Sequence, residues 1–155
     1  MGSKIQTNCL NLRTDPHLHP LNIKCQFVVK NWAETPFHEM DGAGKLSRAS
    51  ITNKFSGDVE GEGALEYLLT YPNTEGGDVP FIGYERIVGR VGTREGSFTV
   101  RHDGALFPAS GVTGKLEIVT GRGTGGFVGI SGTGNISSKA GGYGGEYSLI
   151  FTNAV

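Results

Sequence analysis

The sequence predicts an all-β protein, an eight-stranded antiparallel up-and-down barrel with an irregular N-terminal arm. Three observations carry that expectation. Apolar and polar residues alternate with period two in one segment after another, which puts one face of each extended stretch inside. The segments recur at short intervals and are bounded by Gly, Pro, Asn or Asp. No stretch keeps a helical period for about ten residues or more. One continuous antiparallel ladder hides its edges best by closing on itself, hence the barrel.

Residues 1–22 are polar, contain Pro16 and Pro20, and are read as the arm; residues 23–155 are read as a single barrel domain. The first strand is IKCQFVVKN, where Ile23, Cys25, Phe27 and Val29 oppose Lys24, Gln26 and Lys30. The following ETPFHEMDG is expected to form no more than a turn. Three segments rich in β-formers come next, KLSRASITNKFSG, ALEYLLTY and FIGYERIVGRV. In the first, Ala49, Ile51, Asn53 and Phe55 share a face; in the second, Leu65, Tyr67, Leu69 and Tyr71 do. SFTVRH places Phe98, Val100 and His102 together, KLEI pairs Leu116 with Ile118, and EYSLIF closes the chain with Tyr147, Leu149 and Phe151 on one side.

Glycine is the compositional outlier, 26 of 155 residues, against an average of about 7%. VTGRGTGGFV, from Val119 to Val128, spells G-x-G-x-x-G at Gly121, Gly123 and Gly126. A dinucleotide loop needs a helix after it, since the pyrophosphate rests on that helix's N-terminus, and an acidic residue about 20 positions on. Here Gly129, Gly132 and Gly134 interrupt any helix, and the nearest acid, Glu146, belongs to the last strand pattern. The kinase reading lacks VAIK, HRD and DFG. The stretch is therefore read as a turn over Gly121–Gly126 and a strand over Phe127–Ile136, thinned by glycines so that the sheet can coil.

With 14 basic and 15 acidic residues the net charge is −1, so no pull toward nucleic acid or an anionic membrane is expected. No apolar run approaches the roughly 20 residues of a membrane helix, and MGSKIQTN has no apolar core of a secretory signal. The expectation is a soluble, cytoplasmic protein. Cys9 and Cys25 lack CxxC or zinc-ligand spacing; they are read as two free thiols, with a disulfide between them as the alternative. No metal site and no cofactor are expected.

GRGTGGFVGISGTGNI resembles the glycine-rich strand of allene oxide cyclases and dirigent proteins. More of the chain is similar to the family named domain of unknown function 3224, in NWAETPF, LSRASITNKFSGDVEGEGALEYLLTY, FIGYERIVGRVGTREGSFTVRHDG and GTGGFVGISGTG, in order from Ile23 to Phe151. The resemblance implies an eight-stranded barrel with a ligand cavity, assembled as a homo-oligomer (a dimer or trimer). In the cyclase branch it implies isomerisation without a cofactor.

A barrel of about eight strands holds its own side chains or one small ligand, so polar residues on inward faces are the candidates for chemistry. His102 lies among Phe98 and Val100, and Glu85 shares parity with Phe81 and Ile87. If the two meet inside they form an acid/base pair, with Tyr67 within reach; a lone core histidine satisfied by one hydrogen bond is the structural alternative. Glu66 joins the catalytic candidates, although strict alternation puts it outside with Glu60 and Glu62. Cys25, Phe27, Trp32, Asn53, Phe98, Tyr147 and Phe151 are the candidate ligand-binding residues, with Phe27, Phe98, Tyr147 and Phe151 as cavity walls.

Two functions follow from these readings. One is a cofactor-free isomerase or cyclase acting on a small apolar substrate, such as a secondary-metabolite intermediate, held in the cavity. The other is a non-catalytic carrier for a small hydrophobic ligand. A pairing of His102 with a carboxylate inside the barrel separates them, since a carrier has no use for it.

Overall fold

The computed structural model describes residues 20–152, all of them strand, turn or irregular chain. The strands are β1 (Leu21–Phe37), β2 (Lys45–Gly57), β3 (Glu60–Tyr71), β4 (Val79–Val91), β5 (Arg94–Phe107), β6 (Gly111–Ile118), β7 (Thr124–Gly125), β8 (Gly132–Lys139) and β9 (Gly144–Phe151). The expected arm over 1–22 falls largely outside the described residues, as does Cys9; β1 begins at Leu21.

Outside a bulge in β1, the longer strands follow their apolar alternation. In β2 every second residue from Ser47 to Phe55 is buried, and in β3 the same holds from Gly63 to Leu69. Neighbours in sequence pair antiparallel from β1 through β6, β6 then pairs β8, β8 pairs β9, and β9 returns to β1. Eight strands thus close a barrel of the expected kind, and the short β7 adds itself to the end of β5 at Gly96 and Ser97.

Two segments differ from the sequence expectation. ETPF continues β1, paired with Leu46–Ala49, after a bulge between Val29 and Asn31. An extra residue reverses which side chains face in. Phe27 opposite Phe55 points inward before it, whereas Trp32 opposite Ile51 and Glu34 opposite Ala49 do so after it. Period-two reading cannot carry across that slip. The second is Phe127–Ile136, where a strand forms only from Gly132. Gly121, Gly125 and Gly129 adopt φ of +80°, +59° and +83°, left-handed values that glycine takes without steric cost. The chain therefore turns back on itself through Phe127–Ile130, with the Ile130 amide bonded to the Phe127 carbonyl.

That turn fills one end of the barrel. Phe127 is buried with its ring centroid 5.0 Å from Phe98, which in turn lies 5.7 Å from Phe151. This half of the interior is solid apolar packing that also takes in Cys25 and Ile130. Toward the other end Ala49, Ile51, Leu65, Tyr67, Leu69, Val79 and Phe81 form a second cluster.

Removing the plug is expected to be costly. Phe127→Ala should lose about 3–5 kcal/mol of stability in urea unfolding, the range for truncating a buried aromatic. Val128→Ala, next to it and 69% exposed, should stay within about 0.5 kcal/mol of the parent. Equal losses from the two would show that the turn does not seal the core.

Candidate functional site

Between the two apolar clusters the barrel wall carries a buried polar network. Glu85 on β4 and His102 on β5 are both 0% exposed, and His102 Nε2 lies 3.1 Å from Glu85 Oε1. The Tyr147 hydroxyl donates to the same oxygen at 2.8 Å. Asn53 donates from Nδ2 to Glu85 Oε2 at 3.0 Å. On the far side of the imidazole, Nδ1 lies 2.8 Å from the Tyr67 hydroxyl. With Nε2–H donated to Glu85, Nδ1 accepts the Tyr67 proton, and donors run in one direction from Tyr67 through His102 to the carboxylate.

Register explains how five strands deliver these groups to one place. Tyr67, Gly83 and His102 lie in one row across β3, β4 and β5. A Cβ at Gly83 would sit 2.7 Å from Tyr67 Cδ1, so the glycine is the gap through which the ring reaches His102. Gly63 does the same for the carboxylate: a Cβ there would lie 2.7 Å from Glu85 Cδ. Aromatic packing then locks the imidazole edge-on between Tyr67 and Tyr147, at centroid distances of 5.3 and 5.6 Å, while Phe81 stacks on Tyr67.

Burial holds both phenols protonated. Tyr67 and Tyr147 are pushed well above the ordinary tyrosine value by burial first and by the charge of Glu85 second, since desolvation and a nearby anion both disfavour phenolate. They act as donors. Cys25 is raised to about 12, again by burial and then by Glu85, so it stays an inert thiol.

Above the network lies a cavity of about 300 Å³. Phe27, Trp32, Asn53, Tyr67 and Tyr147 line it, and Ile51, Leu65 and Val112 complete an almost wholly apolar wall. It opens where Trp32 and Tyr143 are exposed, 46% and 84%. At this rim Glu34 accepts from the Trp32 indole (2.9 Å) and the Tyr71 hydroxyl (2.7 Å), and Lys45 lies 4.0 Å away. A larger open groove of about 600 Å³ runs past Asp58 and Arg90 at the plugged end and touches none of these groups. Among the described residues, no three His, Cys, Asp or Glu side chains converge as a metal site, and no helix is long and apolar enough to cross a membrane.

A family model described as "Protein of unknown function (DUF3224)" matches residues 23–151. The chain belongs to this family. The DUF3224 barrel is similar to a crystal structure titled as a protein with unknown function from the DUF3224 family of Shewanella oneidensis MR-1. The two share 26% identity over 85% of this chain and 98% of that one, with a TM-score of 0.66. No curated protein matches the chain.

Within this DUF3224 barrel the candidates separate clearly. His102, Glu85, Tyr67, Asn53 and Tyr147 meet in one hydrogen-bonded network. Glu66 stands apart on the outer wall, half exposed and bonded to Arg48 at 3.0 Å, as alternation requires of a residue one step from Tyr67. Phe27 and Trp32 line the cavity, whereas Cys25, Phe98 and Phe151 belong to the packed half, so Phe98 and Phe151 are not cavity walls. The plug formed by Phe127 takes up the space that would have extended the cavity to them. Sequence reading missed Glu34 at the rim, whose aim the bulge in β1 conceals, the bond that Tyr71 makes to it, and the spacers Gly63 and Gly83. Both glycines sit at inward parity beside buried apolar residues, Leu65 next to Gly63 and Phe81 next to Gly83 along the inward face, a signal that could have marked them.

The rim makes stability depend on pH. Burial pushes Glu34 up, but the nearby Ser47 hydroxyl, the hydrogen bonds from Tyr71 and Trp32 and the charge of Lys45 outweigh it and hold the carboxyl below its ordinary value. A depressed folded-state pKa contributes stability that is present above the unfolded value and lost as pH falls through the folded one. Urea midpoints of the parent should therefore fall from pH 6 toward pH 3, and Glu34→Gln should flatten the part of that fall below the ordinary carboxylate value. An unchanged acid limb in the variant would remove Glu34 from the rim's energetics.

Proposed function

We propose that this protein is a cofactor-free isomerase or cyclase that moves a proton on a small apolar molecule held in the barrel cavity. The observation that carries the reading is His102 bridging Glu85 to Tyr67 directly beneath an apolar cavity. Such a network is a poor way to gain stability, because two well-packed hydrophobic side chains commonly serve a core as well as a buried ion pair. Its groups instead have the order of a proton relay. Tyr67 faces the ligand, its hydroxyl is bonded to His102, and Glu85 orients the ring and balances the charge the ring acquires.

In the forward step the Tyr67 oxygen takes a proton from the substrate while the Tyr67 proton passes to His102 Nδ1. The imidazolium then lies against the Glu85 carboxylate, and Tyr67 remains a phenol, which suits its upward-shifted pKa. Reversal returns a proton to a different substrate atom, and the net change is an isomerisation; where the substrate carries a suitable electrophile, the same step starts ring closure. The cavity supplies conformation and exclusion of water. The resemblance to allene oxide cyclases, where isomerisation needs no cofactor, supports the same class, and the proposed setting is cytoplasmic. A non-catalytic carrier is the second reading, favoured by one observation: Glu85 and His102 are wholly buried and reach a ligand through Tyr67, Asn53 and Tyr147.

Incubation in D2O with a panel of small apolar compounds that bind the cavity tests the proposal by mass spectrometry. At least one binder should gain carbon-bound deuterium. His102→Gln, which keeps volume and some hydrogen bonding, should fold and bind but exchange at least about tenfold more slowly, the lower part of what acid–base catalysis supplies. Tight binding without exchange by any compound would leave the carrier reading.

A further inference from the structure

We infer that the ligand is a neutral molecule with a hydroxyl donor at its deep end, an alcohol, phenol or enol on an apolar body. The inference rests on the cavity reading above and concerns what the cavity floor can accept. Asn53 is 1% exposed and lines the cavity, and its Oδ1 has no hydrogen-bond partner. The amide orientation is fixed by chemistry: Nδ2 must face the Glu85 carboxylate, because the reverse would press two acceptors together at 3.0 Å. Oδ1 is thus an unpartnered acceptor on a residue of the cavity wall. Tyr67 adds a second, since its proton is committed to His102 Nδ1 and its oxygen keeps an unused lone pair. The Tyr147 hydroxyl and one of the two Asn53 amide protons are given to Glu85.

The floor therefore carries an acceptor in want of a donor, Asn53 Oδ1, beside the spare lone pair of Tyr67. A buried acceptor without a partner destabilises the site, and a ligand O–H that supplies the bond gains what an acceptor-only ligand cannot. Charge is excluded as well. Among the described residues no Lys, Arg or His lines the cavity, and Glu85 stands directly behind Asn53. A carboxylate would be desolvated with no cation to meet and an anion behind the floor. In the relay, the donated hydroxyl is also the proton that Tyr67 is placed to receive.

Calorimetry with naphthalene, 2-naphthol, 2-methoxynaphthalene and 2-naphthoate separates these claims on one scaffold. The wild-type protein should bind 2-naphthol at least about tenfold more tightly than naphthalene or 2-methoxynaphthalene, one hydrogen bond's worth, and 2-naphthoate most weakly. Asn53→Leu should reduce the naphthol preference to about twofold or less while naphthalene still binds. If that variant does not fold, the wild-type series decides alone. Binding of the methoxy or carboxylate compound as tight as that of 2-naphthol would overturn the donor inference and leave the cavity reading standing. Failure of every compound, naphthalene included, would overturn both.

Discussion

A carboxylate taken out of water must be surrounded by donors, and the interior of this barrel is organised round that requirement at Glu85. The side chain is fully buried on β4, with an apolar cavity to one side and solid packing to the other. Left alone there it would cost several kcal/mol even after relaxation. Three side chains from β2, β5 and β9 supply donors, and each of them is itself held by what surrounds it. His102 is clasped between two tyrosines, Tyr147 packs on Phe27 and Phe55, and Tyr67 stacks on Phe81. The same convergence gives the site its chemical direction, because three donors end on Glu85 and Tyr67 donates to His102 behind it, while Asn53 Oδ1 is left without a partner among the described residues.

The geometry depends on residues that make no bonds. Gly83 and Gly63 are absent side chains at inward positions, and their absence lets a phenol ring and a carboxylate cross between rows of the sheet. Division of the barrel into a plugged half and an open half has a similarly local origin. The turn over Phe127–Ile130 folds inward where a continuous strand would have left the interior open, and Phe98 and Phe151 become packing partners instead of walls. What remains for a ligand is the end guarded by Trp32 and Glu34, whose inward aim comes from the bulge after Val29.

Much of this was legible in the sequence, for a physical reason: inside a closed barrel, parity decides burial. Phe98, Val100 and His102 alternate cleanly, as do Asn53 with Ile51 and Phe55, and all lie where alternation puts them. Glu85 shares parity with Phe81 and Ile87, but apolar residues on both faces of β4 left its direction open; in the structure it points inward. Parity equally placed Glu66 on the outer wall, so its inclusion among catalytic candidates went against the strand's own pattern. Illegible were features that break or lack a period. The bulge in β1 reverses parity without any residue type that announces it, and the plug is an irregular turn whose glycines were read as a thinned strand. Distances between rows were also beyond sequence, since they depend on which inward positions are empty.

The central claim is that Glu85 is sustained by donors converging on its charge, and a double-mutant cycle between Glu85 and Tyr147 tests it most directly. Tyr147→Phe removes one hydroxyl and little volume. In the parent it should cost about 1.5–3 kcal/mol in urea unfolding, as for a hydrogen bond to a charged group. In a Glu85→Gln background the cost should fall by at least about 1 kcal/mol, the coupling expected of side chains in contact within one network. Equal costs in the two backgrounds would mean that the tyrosine does not answer to the carboxylate, and that the buried network is a coincidence of packing.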